Sequence, residues 1–157
     1  MTPKLLGFLD REAIVTELQA ATKEEAIREL VTVAVTRGLV DAKYEDDVAR
    51  AVLEREKKGT TGLGDGIAVP HVKEHPNVAS LCGAFGRSTT GVRFDAIDGK
   101  PVHLVFLILG AKGTAAAHIA ILKKLAGLRQ NEHFLRFLRH AKGKEGIAEV
   151  IEEMAVA

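Results

Sequence analysis

The longest uninterrupted apolar stretch of the sequence, LVFLILGA from Leu104 to Ala111, constrains the fold most strongly. It is far too short to cross a bilayer, which takes about 20 residues of helix. Its branched and aromatic side chains follow a turn at Asp98–Gly99 and are typical of a buried strand. We therefore expect a strand from Val102 to Leu109 inside a sheet that helices cover.

Helical patterns lie on both sides of this strand in the sequence. TKEEAIRELVTVAVTRG opens with a capping box, Thr22 and Glu25, and Gly38 can end the helix. YEDDVARAVLEREKKG is acidic at its start and basic at its end, as the helix dipole favours. TAAAHIAILKKLAGLRQ predicts a third helix, and NEHFLRFLRHAKG and KEGIAEVIEEM predict two short closing helices. For the third helix, the predicted apolar stripe is Ala115, His118, Ile119, Leu122, Leu125 and Ala126.

The short runs GIAVP and VASLCGAFG have the composition of strands but lack helical crossovers between them. Parallel neighbours need such crossovers, so their absence favours a mixed sheet. We predict an α/β fold, a mixed β-sheet sandwiched by helices, in a single domain over residues 1–157.

The composition narrows the possible classes of function. The chain is 46% apolar and 27% charged, with a formal net charge of +1, which argues against nucleic-acid binding. The one cysteine, Cys82, lies in an apolar run and is expected to be a buried thiol. Charged residues follow LLGFLD at once, unlike a signal peptide. The expectation is a soluble cytoplasmic domain without membrane insertion.

The stretch GTTGLGDGIAVPHVKEH, residues 59–75, is the candidate site. A phosphate-binding Walker loop ends in Gly-Lys-Ser/Thr, whereas GLGDG here leads into Ile67 and Ala68. Gly62, Gly64 and Gly66 also lack the GxGxxG spacing. Nucleotide binding by this loop is therefore disfavoured.

A metal site is the second interpretation of the same stretch. His71 and His75 are four residues apart, but Pro70 and Pro76 disfavour a helix through both. His103 and His118 could converge on them from a strand and a helix. The sequence has no carboxylate-rich ligand pattern nearby, so a metal remains a minor alternative.

A nucleophilic histidine is the third interpretation. Neutral imidazole has an unprotonated nitrogen that can accept a phosphoryl group and pass it on. Such a group needs an orienting partner and donors for the phosphoryl oxygens. Ordinary roles fit the same residues: a surface histidine at His71, a helix-face position at His118 and a solvated charge at Arg55. The residues alone leave these alternatives open.

Three motifs in one order resemble a known family. REKKGTTGLGDGIAVPH, FDAIDGKPVHLVFLIL and HIAILKKLAGL are similar to the signatures of enzyme IIA domains of the bacterial phosphoenolpyruvate-dependent phosphotransferase system, in the fructose, mannitol and nitrogen-regulatory group. The resemblance covers essentially the whole chain. The residues of the first motif that match in order and spacing are Arg55, Glu56, Thr61, Gly66, Ile67, Ala68, Val69, Pro70 and His71.

The resemblance implies a phosphocarrier that uses neither metal nor cofactor. His71 would accept the phosphoryl group through Nε2 from the phosphohistidine of the small carrier HPr, or its nitrogen-type counterpart. His118 would orient the ring or bind the phosphoryl group, Arg55 would supply positive charge, and Thr61 would supply a hydroxyl or a loop contact. Ile67, Val69 and Val72 are candidates for an apolar docking rim.

The departures from the family pattern concern partner choice. Val72 occupies a position where relatives often have glycine. The segment GAKGTAAA lacks the proline that relatives often carry there. His103 occupies a position where relatives often have aspartate or another polar residue. Three roles follow from the resemblance: a nitrogen-regulatory switch, which FDAIDGKPV favours, a sugar-specific enzyme IIA that donates to a IIB cysteine, or a binding regulator that is not phosphorylated. Cys82 lacks the basic surroundings of a phosphoryl-accepting thiolate.

Overall fold

The computed structural model describes residues 4–155, so residues 1–3 and 156–157 of the predicted domain lie outside the described residues. The strands are β1 (Leu9–Val15), β2 (Gly62–Gly64), β3 (Ile67–Ala68), β4 (His71–Val72), β5 (Cys82–Val92) and β6 (Val102–Leu109). The α-helices are α1 (Lys23–Thr36), α2 (Glu45–Lys57), α3 (Ala115–Leu128), α4 (Glu132–His140) and α5 (Gly143–Met154). A short 3₁₀ helix, Ala42–Tyr44, precedes α2.

The strands form one sheet in the order β1-β5-β6-β3-β2, and β4 also pairs with β6. β5 and β6 are antiparallel, with Phe85 opposite Phe106. β1 runs parallel to β5, whereas β3 and β4 both run parallel to β6. The predicted mixed sheet is therefore confirmed.

The predicted strand from Val102 to Leu109 is β6, at the centre of this sheet, and its side chains alternate between two cores. Val105, Leu107 and Leu109 pack with α1 and α2, whereas the intervening side chains pack with α3, α4 and α5. Burying an aliphatic or aromatic side chain of this size contributes about 1.5–3 kcal/mol to the free energy of unfolding. The helices therefore cover the sheet on both faces, as the apolar run predicts.

The predicted signals at the ends of α1 are present. The Thr22 hydroxyl accepts from the Glu25 amide at 3.3 Å, and a Glu25 carboxylate oxygen accepts from the Thr22 amide at 3.1 Å. This reciprocal pair satisfies two amides at the helix start. Gly38 follows the helix with a φ of 75°, which glycine adopts without steric cost.

The predicted apolar stripe of α3 is partly wrong. The buried residues of this helix are His118, Ile121, Leu125 and Leu128, whereas Ile119 is 44% exposed and Ala126 is also exposed. Ile119 and Ala126 are seven residues apart and therefore share one flank of the helix. The contact with the sheet is narrower than the stripe that includes both, so this flank faces solvent.

Within residues 4–155, no helix is both long enough and apolar enough to span a bilayer.

Candidate functional site

Two short strands place His71 at the edge of the sheet. Ile67 pairs with Leu104 on β6, and His71 pairs with Ile108 four residues farther along each strand. Pro70 lies between the two short strands, and its carbonyl accepts a hydrogen bond from the Ile108 amide at 3.0 Å. Proline has no amide hydrogen to donate, but it can still accept this ladder bond. The Pro70–His71 pair is therefore held against β6 by backbone pairing on both sides.

A hydrogen bond determines which nitrogen of the His71 ring is protonated. Nδ1 lies 2.8 Å from the carbonyl oxygen of Val69, which can only accept. Nδ1 must therefore carry the hydrogen, which leaves Nε2 of the neutral ring with a free lone pair. The half-buried His71 ring thus presents Nε2 as its nucleophilic atom.

His118, in the first turn of α3, lies beside His71. The two ring centroids are 5.2 Å apart and the ring planes are inclined at 65°. His118 is 1% exposed, and neither of its ring nitrogens has a hydrogen-bond partner within residues 4–155. Burial, followed by the positive charges of His71 and Lys73, lowers the pKa of His118 to about 4. His118 is therefore a neutral imidazole with both nitrogens available.

Gly110 allows this close packing, because a larger residue has no room there. A Cβ atom at position 110 would lie 1.8 Å from the carbonyl oxygen of Lys73 and 2.9 Å from Nδ1 of His118. Both distances are shorter than an ordinary van der Waals contact between nonbonded atoms. Gly110, directly after β6, therefore lets the segment after His71 and the first turn of α3 pack closely against each other.

The pKa of His71 is lowered from its ordinary value, chiefly by burial and further by the positive charge of Arg55. The hydrogen bond to the Val69 carbonyl and the negative charge of Glu56 oppose this lowering. The result is a ring that is neutral at pH 7, the state that a nucleophile requires.

Arg55 and Thr61 flank the turn that leads from α2 to the site. Arg55 is in the last turn of α2, and its Nη1 donates to the Gly59 carbonyl at 2.9 Å. Thr61 is 3% exposed, and its hydroxyl donates to a Glu56 carboxylate oxygen at 2.6 Å. Its amide donates to the other oxygen of Glu56 at 2.8 Å. Thr61 therefore makes a contact within the loop, and the charge of Arg55 reaches His71.

Glu56 is a buried residue beside the site, and its residue type alone did not indicate a role there. It is 4% exposed, and both of its oxygens hold the Thr61 segment, whose carbonyl accepts from the Val69 amide at 3.0 Å. Its place between Arg55 and the Thr-Gly turn in the matched motif was the available signal. The Val69 carbonyl had no such signal, because a backbone acceptor is invisible in a residue pattern.

The four histidines of the metal interpretation do not converge. His75 Nδ1 accepts from the Asn77 amide at 3.0 Å, and His103 Nδ1 lies 2.9 Å from the Ser88 carbonyl at the other end of β6. No group of three or more histidine, cysteine or acidic side chains in the described part of the chain could hold one ion. Of these four histidines, His71 and His118 are the two whose rings lie next to each other.

Two residues of the expected docking rim are core residues. Ile67 is fully buried and Val69 is 3% exposed, because both pack with α3, α4 and α5 under the sheet, whereas Val72 is partly exposed. Cys82 is buried, as expected, and burial raises the pKa of its thiol to about 11. A thiol that resists ionisation so strongly is a poor nucleophile.

One family model and several curated proteins match the sequence over most of its length. The family model of phosphoenolpyruvate-dependent sugar phosphotransferase system EIIA 2 matches residues 7–154. The chain is 39% identical over 143 residues to the fructose-specific EIIA component of Haloferax volcanii, with 91% of each protein covered. It is 34% identical over 140 residues to the nitrogen regulatory protein of Bradyrhizobium diazoefficiens, with 89% of each covered. It also matches the fructose-specific EIIABC component of Bacillus subtilis at 33% identity over 150 residues, 96% of this chain but only 23% of that protein.

Solved structures agree with these sequence matches. Nitrogen regulatory protein IIA-Ntr from Neisseria meningitidis superposes with a TM-score of 0.83 at 31% identity, covering 93% of this chain and 97% of that one. Enzyme IIA mannitol of Escherichia coli, in complex with phosphorylated enzyme IIB mannitol, gives a TM-score of 0.73 at 28% identity, covering 92% and 98% of the two chains. The chain therefore belongs to the EIIA type-2 family of the phosphoenolpyruvate-dependent phosphotransferase system.

Proposed function

We propose that His71 accepts a phosphoryl group on Nε2 from the phosphohistidine of an HPr-type carrier protein, either HPr or its nitrogen-type counterpart. The observation that carries this proposal is the 2.8 Å hydrogen bond from Nδ1 to the Val69 carbonyl, which leaves Nε2 unprotonated. The lowered pKa of His71 supports it further, because the ring stays neutral at the pH of the cytoplasm.

The transfer step needs no proton movement at His71. The lone pair of Nε2 forms a bond to phosphorus as the nitrogen–phosphorus bond in the donor breaks. The donor imidazole keeps the electron pair of that bond, and the hydrogen on Nδ1 of His71 remains directed at the Val69 carbonyl. Catalysis then consists of positioning the two rings in line and stabilising the charge on the phosphoryl oxygens.

Arg55 and His118 supply that stabilisation in the proposal. The charge of Arg55 already acts on the His71 ring, and the same charge attracts the oxygens of a phosphoryl group bound there. His118 is buried beside His71, and its ring nitrogens have no partner within residues 4–155. A phosphoryl oxygen on His71 would give one of those nitrogens a hydrogen-bond partner.

The phosphorylated form serves as a regulatory switch or passes the group to a IIB domain. The nitrogen regulatory names among the relatives favour the switch, as does the TM-score of 0.83 to IIA-Ntr. The 39% identity to a fructose-specific EIIA component favours the second function, donation to a IIB cysteine in sugar uptake. We place the regulatory function first, in agreement with the FDAIDGKPV motif.

The test is phosphorylation of the purified chain by phosphoenolpyruvate, enzyme I and HPr, followed by phosphorus NMR of the product. The proposal expects one phosphohistidine signal, of the Nε2 isomer, that is absent in His71→Ala. Arg55→Gln should slow the transfer by about tenfold or more, on the scale of one charged hydrogen bond. Arg50→Gln is the matched control, because Arg50 lies on the same helix and pairs with Asp46 at the surface.

An Nδ1 isomer, or labelling that persists in His71→Ala, contradicts the assignment. Absence of labelling by an HPr that phosphorylates another enzyme IIA supports a binding regulator instead. Addition of fructose-type and mannitol-type IIB domains to the phosphorylated chain then separates the two functions. Rapid loss of the phosphohistidine to a IIB cysteine supports sugar uptake, and its persistence supports regulation.

A further inference from the structure

A cavity of about 480 Å³ lies at the end of the sheet that is farthest from His71 along β6. Its walls are the turn at Asp65–Gly66, the turn before β6, the first residues of β6 and one face of α4. His103 lines it, five residues along β6 from Ile108, the partner of His71, which corresponds to roughly 17 Å of strand. We call it the distal cavity; its volume is within the range of small-molecule sites.

Basic side chains lie on the α4 wall and in the adjoining turn. Lys100, Arg136 and Arg139 line the distal cavity together with His103 and His140. Within residues 4–155, neither Lys100 nor Arg139 forms an ion pair with a carboxylate, but the charge of Lys100 acts on nearby Asp98. Arg136 contacts the ring nitrogen of a neighbouring histidine and the face of an aromatic ring, and no acidic group. These cations are therefore available to a ligand.

Two of the three carboxylates around the distal cavity are already occupied. Asp98 accepts hydrogen bonds from the amides of Lys100 and Asp65 at 3.0 and 3.1 Å. Asp65 lies 3.8 Å from the guanidinium of Arg129. Glu132 is the remaining carboxylate, in the first turn of α4. Three cations of the lining therefore face three carboxylates, and Arg129 beside Asp65 leaves one positive charge in excess.

The end of α4 is held rigidly in place by Arg87. Its Nη1 donates to the carbonyls of Leu138, Arg139 and Ala141 at 3.1, 3.3 and 2.7 Å. Those carbonyls are the negative end of the helix dipole. The guanidinium therefore holds this end of α4 in place and neutralises its partial negative charge. Arg139 and His140 are attached to this fixed part of the backbone. Less conformational entropy is therefore lost when their side chains bind a ligand.

His103 adds a hydrogen-bond acceptor to this basic wall. Its Nδ1 lies 2.9 Å from the Ser88 carbonyl, which can only accept, so Nδ1 carries the hydrogen of the neutral ring. Nε2 is then the one ring atom that can bond to a ligand, and it accepts from a hydroxyl group. A phosphate flanked by hydroxyl groups matches both the cations and this acceptor.

We propose that the distal cavity binds a small phosphate ester that carries hydroxyl groups, at a site separate from His71. Lys100 and Arg139 contact the phosphate, and Nε2 of His103 accepts from a hydroxyl. The binding requires no phosphorylation of the chain, so it stands or falls independently of the proposed transfer to His71.

The test is a titration of the full chain, unphosphorylated, with glucose 6-phosphate, inorganic phosphate and glucose, followed by backbone amide NMR. Glucose 6-phosphate should shift residues 98–103 and α4 in a saturable way, inorganic phosphate should bind more weakly, and glucose should not bind. Arg139→Gln and Lys100→Gln should each weaken binding by about tenfold, the scale of a charge-assisted hydrogen bond. Glu132→Gln should strengthen it, because it removes the one carboxylate of the lining that has no partner named above.

Lys112→Gln is the matched control, an exposed lysine outside the lining, and should leave the affinity unchanged. Shifts confined to Pro70–Lys73 would show that the phosphate binds at His71 and would overturn the proposal. Unsaturable shifts, or equal affinity in Arg139→Gln and the wild type, would also overturn it. Variant spectra that keep the wild-type dispersion exclude unfolding as the cause of weakened binding.

Discussion

The chemistry of this site depends on the protonation of one imidazole ring. Nδ1 of His71 is committed to the carbonyl of Val69, two residues earlier in the chain, and burial keeps the ring neutral. His118, with unpartnered ring nitrogens, lies beside it. A neutral ring with a free Nε2 and a neutral ring with two unpartnered nitrogens therefore lie side by side.

The titration of the His71 ring should reflect its buried, positively charged surroundings. Because burial and Arg55 both lower its pKa, the ring should stay neutral as the pH falls to the ordinary histidine value of 6.5 and become protonated only below it. Arg55→Gln removes a positive charge and should move the pKa of His71 upward. Nitrogen NMR of the His71 ring measures both values. A wild-type pKa at or above 6.5 would contradict the account.

The free energy of unfolding should fall in acid because of His118. The pKa of His118 falls from 6.5 to about 4 on folding, so the unfolded chain binds more protons between these pH values. Stability from the neutral ring is therefore present above pH 6.5 and lost as the pH falls to 4. Each tenfold change in proton affinity corresponds to about 1.4 kcal/mol, so the loss at His118 is about 3 kcal/mol.

Urea unfolding of the wild type and His118→Gln at a series of pH values measures this loss. The variant should lose about 3 kcal/mol less than the wild type between pH 6.5 and 4. His133→Gln, which changes an exposed histidine, should follow the wild type. Equal pH dependence of His118→Gln and the wild type would show that His118 is not buried as a neutral ring.

At the scale of elements, the site is assembled where three chain segments meet. β4 delivers His71, α3 delivers His118, and the end of β6 lies between them at Gly110. The loop after α2 is fixed to the same region through Glu56 and Thr61. Backbone contacts, rather than long side chains, determine the separation of the two imidazoles.

Gly110→Ala should therefore disturb the site more than an alanine elsewhere. Its Cβ would meet the Lys73 carbonyl and His118 Nδ1, so we expect a loss of about 1–3 kcal/mol in the free energy of unfolding and slower phosphorylation of His71. Gly127→Ala in α3 is the control, since nothing lies within 4 Å of its Cβ. It should be neutral or stabilising by about 1 kcal/mol. Equal stability of the two variants would refute the close packing.

Local signals account for the elements that the sequence predicted. The capping box of Thr22 and Glu25, the Gly38 stop and the turn at Gly99 each act within a few residues, and all are present. The approach of His118 to His71 depends on the pairing of β4 with β6, which periodicity does not encode. The resemblance to the family motif predicted that His118 lies beside His71. The motif contains no signal for the hydrogen bond to the Val69 carbonyl or for the exposure of Ile119.

At the scale of the whole molecule, the sheet is the common wall of two cores. One core lies under α1 and α2 and the other under α3, α4 and α5, and β6 contributes alternate side chains to both. Phe106 is fully buried in the second core, with its ring centroid 4.8 Å from that of Phe85 on β5. The strand that carries Phe106 also pairs with His71.

Phe106→Ala should therefore destabilise the protein by about 3–5 kcal/mol, the cost of truncating a buried aromatic ring. Phe106→Leu retains most of the volume and should cost less. Phe137→Ala, at a position that is 49% exposed, is the matched control and should change stability by less than about 1 kcal/mol. Guanidinium unfolding measures all three. A loss at Phe137 equal to that at Phe106 would contradict the assignment of the core.

Phosphorylation at His71 is tested most directly by the intact mass of the chain after incubation with phosphoenolpyruvate, enzyme I and HPr. A gain of one phosphoryl group is expected in the wild type and in His133→Ala, a control that removes an exposed histidine. No gain is expected in His71→Ala, and the wild type should lose the group in acid. A phosphoryl group retained by His71→Ala, or a wild type that stays unmodified by an HPr active on another enzyme IIA, would contradict phosphorylation at His71.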